Sequence, residues 1–145
     1  MPGDSGSCVW VVGIDGSANA EHALAWAASH ANGRASCLRL VGAWQTPLLS
    51  PAVETWPIGS SAYDRDLLMQ STQRLVDDAA ATARPLTDVA LQATITQGGA
   101  ATALLDASDE ASLLVVGTRG RGGFRRLLLG STSTQCATHV SRPIA

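Results

Sequence analysis

Near the end of the chain, glycines and hydroxyl side chains stand in a fixed spacing: Gly117-x-x-Gly120, nine residues, then Gly130-Ser131-Thr132-Ser133. The stretch GTRGRGGFRRLLLGSTS follows directly on the apolar run Leu113, Leu114, Val115, Val116 and carries Arg119, Arg121, Arg125 and Arg126. This chemistry suits an anion. Glycine lets backbone N–H groups approach phosphate oxygens with no Cβ in the way, and a helix starting near Ser131 offers unpaired N–H groups at the positive end of its dipole. Gly117-x-x-Gly120 by itself has the composition of an ordinary surface turn; the full spacing after a strand favours a ligand site. The arginines read as a solvated face from which one side chain, Arg121 first, reaches a phosphate. The second loop of interest is Asp15-Gly16-Ser17, whose carboxylate either caps a following helix or meets a ligand.

Other chemistries are excluded by inspection. A P-loop requires G-x-x-x-x-G-K-[ST], and all ten basic residues of this chain are arginine. A dinucleotide fingerprint requires G-x-G-x-x-G after the first strand, where this chain has Gly13-Ile-Asp-Gly16-Ser. Cys8, Cys37 and Cys136 have no C-x-x-C spacing and lie in apolar segments, as core thiols in a reducing cytoplasm would. His22, His30 and His139 lack the spacing of a metal site and read as surface or partly buried residues. Trp44 and Trp56 read as packing or loop anchors before adenine-stacking groups. GDSG at Gly3 to Gly6 lies in an N-terminal tail with no partner framework for a serine nucleophile. A net charge of −2 argues against a broad nucleic-acid or membrane-surface binder. The longest aliphatic run is about four residues against the roughly 20 of a spanning helix, and the start MPGDSGS has no signal-peptide pattern. A soluble, cytoplasmic protein is expected.

The elements that must position these loops alternate. Residues 1–145, 46% hydrophobic, suit one domain with a sizeable core. Cys8 to Ile14 is a short apolar strand, and Ala18 to Ala31 repeats small apolar residues at helical spacing until Asn32-Gly33. Ser36 to Trp44 is a second strand, followed by about 19 residues with Pro47, Pro51, Pro57 and Gly59, a length typical of lids. Asp64 to Arg84 is a helix, Val89 to Thr96 a third strand, Ala101 to Glu110 a helix, and Leu113 to Val116 a fourth strand. Ser131 to Val140 forms the last helix, with Thr132 and Gln135 at capping-box spacing. Leu127 to Leu129 would anchor the returning loop. The pattern predicts a doubly wound α/β domain: a parallel sheet with helices on both faces and a ligand crevice at the carboxyl ends of the strands. The Asp15 and Gly117 loops should border that crevice together.

With those segments in view, the sequence resembles the universal stress protein family, specifically its ATP-binding class, whose signature is G-x2-G-x9-G-[ST]. Val11 to Ser17, the helix with Ala23-Leu24-Ala25-Trp26-Ala27, Leu40 to Trp44, and Leu113 to Ser133 all have matching family segments. The resemblance implies strand order 3-2-1-4-5, a nucleotide, expected to be ATP, between the first and fourth strands, and frequent homodimers; the Asp15 carboxylate adds magnesium as a further expectation. It places Asp15 at the nucleoside end, Val116 and Ala43 beside adenine, and Gly117, Gly120, Gly130, Ser131, Thr132 and Ser133 around the phosphates. Departures are also visible. The family continues into P-V-L-V-V, whereas this chain reads Arg142-Pro143-Ile144-Ala145, so a truncated fifth strand is expected, in a piece of a tandem protein or in a domain that tolerates the stub. Ser112 stands where the family often has aspartate, and Gly42 where many relatives have histidine. Four functions remain open: an ATP-binding regulatory module, a slow ATPase or phosphoryl-transfer enzyme, a cyclic AMP-binding protein, and a structural dimer that binds nothing.

Overall fold

The computed structural model describes residues 8–45, 61–118, 131–140 and 143–145. Strands and helices alternate: β1 (Val9–Ile14), α1 (Ala18–Ala31), β2 (Cys37–Trp44), α2 (Ser61–Ala83), a single 3-10 turn (Arg84–Leu86), β3 (Ala90–Gln97), α3 (Ala100–Ser108), β4 (Leu113–Val115) and α4 (Ser131–His139). Every strand pairing is parallel, and the sheet order is β3-β2-β1-β4. Each element falls within a few residues of its sequence-predicted span. The expected lid runs over residues 45–63; most of it, 46–60, lies outside the described residues, and its last three residues already belong to α2.

Alternation along the strands divides the core between two faces. Trp10, Val12, Leu38 and Leu40 pack with Leu24, Ala27 and Ala28 of α1 and Val76 and Ala83 of α2. Val11, Val41 and Leu114 point the other way, onto Ala101 and Leu104 of α3 and Cys136 of α4. Helices thus cover both faces, but unevenly at β3, where only Leu91 and Ile95 are partly buried against the α1/α2 layer. A strand at the sheet edge can face water on one side, and β3 does so with Gln92, Thr94 and Thr96.

The sheet has four strands among the described residues rather than the five expected. In the fifth position, Pro143–Ala145 form only an isolated parallel bridge, Leu114 opposite Ile144. The Leu114 N–H donates to the Pro143 carbonyl at 3.0 Å, and the Ala145 N–H donates to the Leu114 carbonyl at 2.8 Å. Only Ile144 of this segment is bridged, opposite Leu114, so the segment adds a single bridge and no strand ladder. The capping-box reading of Thr132 also fails, because α4 already begins at Ser131 and Thr132 lies inside its first turn.

Cys37 and Cys136 are buried free thiols and Cys8 is partly exposed. Burial pushes both buried thiols above the usual thiol range, although at Cys37 the Arg39 charge works in the opposite direction. Among the described residues no helix is long and apolar enough to cross a membrane.

Gly42 explains its own departure from histidine. A Cβ at this position would come within 2.6 Å of Val76 Cγ2 and 2.9 Å of Thr72 Cγ2, because α2 presses directly onto β2 there. Gly42→Ala is therefore expected to destabilise the fold by about 1–3 kcal/mol, read as a lower denaturation midpoint at unchanged m-value. An unaltered midpoint would show that α2 shifts without cost.

Candidate functional site

β1 lies between β2 and β4, and α2 packs on one face of the sheet while α4 packs on the other. α1 and α2 cover one face and α3 and α4 the other, so the carboxyl ends of β1, β2 and β4 frame an opening. A crevice with a cavity volume of about 60 Å³ lies there. Five of the sequence-predicted site residues line it: Asp15, Ala43, Val116, Gly117 and Thr132. Ser131 and Ser133 belong to the first turn of α4. Gly120, Arg121 and Gly130 lie outside the described residues.

The turn after β1 is built by local hydrogen bonds. Asp15 Oδ1 accepts from the Ser17 N–H at 2.8 Å, and Ser17 Oγ accepts from the Ala20 N–H at 3.2 Å. Ser17 is therefore the N-cap of α1, while Asp15 braces the turn that delivers it. Gly16 between them has φ +79°, a left-handed conformation that favours glycine. These bonds hold the Asp15 carboxylate at the crevice edge.

Gly117 answers to a stronger demand than ligand access. A Cβ there would lie 2.8 Å from the Asn19 carbonyl carbon and 3.0 Å from the Ala20 nitrogen, both backbone atoms of the first turn of α1. The space that glycine frees is filled by α1, so the residue is needed for the fold as well as for any phosphate. Val116 contributes its side chain to the crevice wall, while its N–H donates outward to the Ala145 carbonyl at 3.0 Å. Ala43 follows the last β1–β2 pair, Ile14 with Gly42. The Trp44 carbonyl accepts from the Gly98 N–H on the β3 side at 2.8 Å. Because successive residues of a strand direct their backbone groups to opposite neighbours, the Ala43 carbonyl points toward the departing β1 chain and the crevice.

Sequence reasoning missed the floor of the site and one of its walls. Gly13, Val41 and Leu104 form an apolar base, with Leu104 packed close against Gly13. Ala100 opens α3 beside them, after the N-cap Gly99, which offers no side-chain cap. The Gly98-Gly99 pair marked that helix start in the sequence, but nothing in the linear pattern joined it to Gly117. First-turn residues of three helices, Ala20, Ala100 and Thr132, thus line one crevice, which gives it a positive field from helix dipoles with Asp15 as the carboxylate in its lining. Among the described residues no cluster of potential metal ligands occurs.

This geometry has counterparts. The sequence model described as the universal stress protein family matches residues 10–145. A universal stress protein of Mycolicibacterium smegmatis is 33% identical over 144 residues, covering 92% of this chain and 46% of the relative. The chain belongs to the universal stress protein family. It spans about half the length of the curated universal stress proteins that it matches. UspA from Lactobacillus plantarum shares the fold at TM-score 0.80 and 17% identity, over 98% of each chain. A universal stress protein solved in complex with cAMP superposes at TM-score 0.68 and 23% identity, covering 97% of this chain and 96% of that one.

In this universal stress protein the contact of Gly117 with α1 sets the expectation for mutation. Gly117→Ala should lower stability by about 1–3 kcal/mol, because the clash is with backbone that cannot rotate away. Chemical denaturation without any ligand tests this; an unperturbed midpoint would leave Gly117 a purely ligand-directed glycine.

Proposed function

We propose that this domain is a regulatory module that holds ATP, with adenine in the crevice and the triphosphate over residues 117–133. The observation that carries the reading is the convergence of Asp15, Ala43, Val116, Gly117 and Thr132, from four separate segments, on one crevice at the carboxyl ends of the strands. An apolar floor with a few placed polar groups suits a purine, and the Ala43 carbonyl is an acceptor for its exocyclic amine. The first turn of α4, with Ser131, Thr132 and Ser133, supplies N–H and hydroxyl donors for phosphate oxygens. In this reading Gly120 and Gly130 extend the phosphate cradle and Arg121 adds a charge-assisted contact.

Asp15 takes the nucleoside end. Where magnesium accompanies the nucleotide, this carboxylate and the phosphate oxygens are hard oxygen ligands of the kind the ion prefers. Phosphoryl transfer needs a residue that orients the nucleophile, and Asp15 is the carboxylate lining the crevice. In this reading Asp15 is engaged by the nucleoside or by the metal rather than by a nucleophile, and the module holds ATP and leaves it intact. Its proposed setting is the cytoplasm, and its proposed partner a second domain of the same fold, as a homodimer or in tandem.

The cAMP-bound relative motivates a second reading, in which one phosphate suffices. Calorimetry with ATP, AMP and cyclic AMP separates the two. ATP with magnesium should bind at least about tenfold tighter than either monophosphate, since each added charge-assisted hydrogen bond contributes on the order of 1.5–3 kcal/mol. Cyclic AMP binding more tightly than ATP would make the glycine loop a single-phosphate site, and no binding at millimolar concentration would end the nucleotide reading.

Asp15→Asn removes charge while keeping shape and most hydrogen-bonding capacity. It should weaken ATP binding and reduce its magnesium dependence, with ATP recovered chemically intact from both proteins after hours. Wild-type turnover near one per second, lost in the variant with binding preserved, would make the protein an enzyme at the lower end of typical rates.

A further inference from the structure

On the face of the sheet that carries α1 and α2, the two helices leave a groove with a cavity volume of about 320 Å³ between them. Its walls are largely apolar. Leu24 and Leu75 line it, alanines such as Ala25 keep it open, and Leu86 belongs to its lining while remaining 43% exposed. Among the described residues two charged side chains line it, Glu21 on α1 and Asp78 on α2, and both are acidic. Among the described residues neither carboxylate has a hydrogen-bond or ion-pair partner. No arginine or histidine among the described residues is part of the lining.

We propose that this groove is a second ligand site, for a small amphiphile carrying a protonated amine on an apolar body. The volume lies at the lower end of the roughly 300–1,000 Å³ range of small-molecule pockets, which suits a small ligand. Apolar walls reward burial of an alkyl or aryl group, and Leu86 gains most from being covered. Carboxylates contributed by both helices attract an ammonium group and repel an anion. That sign separates the groove from the nucleotide crevice, whose helix N-termini favour phosphate. The inference does not depend on the nucleotide reading.

A matched set of probes tests it on the full chain: n-octylammonium, octanoate and 1-octanol, titrated while amide resonances are followed by NMR. Octylammonium should shift resonances of Leu24, Ala25, Leu75 and Leu86 and bind at least about tenfold more tightly than octanoate, because the two carboxylates act in opposite senses on the two head groups. Glu21→Gln combined with Asp78→Asn should erase that preference and leave octanol affinity unchanged. Ala25→Phe, a substitution at an exposed position that fills the groove, should weaken all three probes. Dispersed spectra of the variants verify that they fold. Octanoate binding as tightly as octylammonium, shifts scattered away from the groove, or a charge preference that survives the double substitution would each overturn the proposal.

Discussion

The backbone of Gly117 lies directly on the first turn of α1, and the carboxyl edge of the sheet is arranged around that contact. It couples the end of β4 to the start of the helix that follows β1, two segments about a hundred residues apart in sequence. A side chain here would lever α1 away from the sheet, because the opposing atoms are peptide groups of Asn19 and Ala20. The Asp15-Ser17 hydrogen bond and the Ser17 cap then hold α1 from its other side. One wall of the crevice is therefore assembled before any ligand arrives, which reduces the ordering that binding must supply.

The crevice and the α1–α2 groove are products of the same layer arrangement with opposite electrostatic character. Ile14 and Ala20 line both, so the two cavities lie back to back across the start of α1. In the crevice, helix N-termini converge and the field is positive. In the groove, the sides of two helices meet, their backbone dipoles are satisfied internally, and among the described residues the charge comes from Glu21 and Asp78. Helix ends set the field of the crevice, and side chains set that of the groove.

The strands differ in how completely they are enclosed. β1 and β2 contribute to both cores, whereas β3 keeps most of its side chains exposed and β4 is three residues long. At β4 the Pro143–Ala145 segment takes up backbone groups of Leu114 and Val116. The well-packed centre carries the site, and the edges carry the variation from the five-stranded pattern.

Periodicity in the sequence determined the order and nature of the elements, because near-continuous apolar runs such as Cys8 to Ile14 and helical stripes such as Ala20, Leu24, Ala27 and Ala31 are local signals. The same local chemistry marked the Asp15 turn and the glycine spacing from Gly117 to Gly130. Tertiary structure alone decided what those residues do. Whether Asp15 or Ser17 capped α1 depended on the actual path of the turn, and the steric role of Gly117 depended on which backbone came to lie against it. Leu104 and Ala100 entered the crevice because α3 crosses beneath β1 and β2, a placement no linear pattern encodes. Spacing along a chain reports which groups are available; only packing fixes which of them share a few ångströms of space.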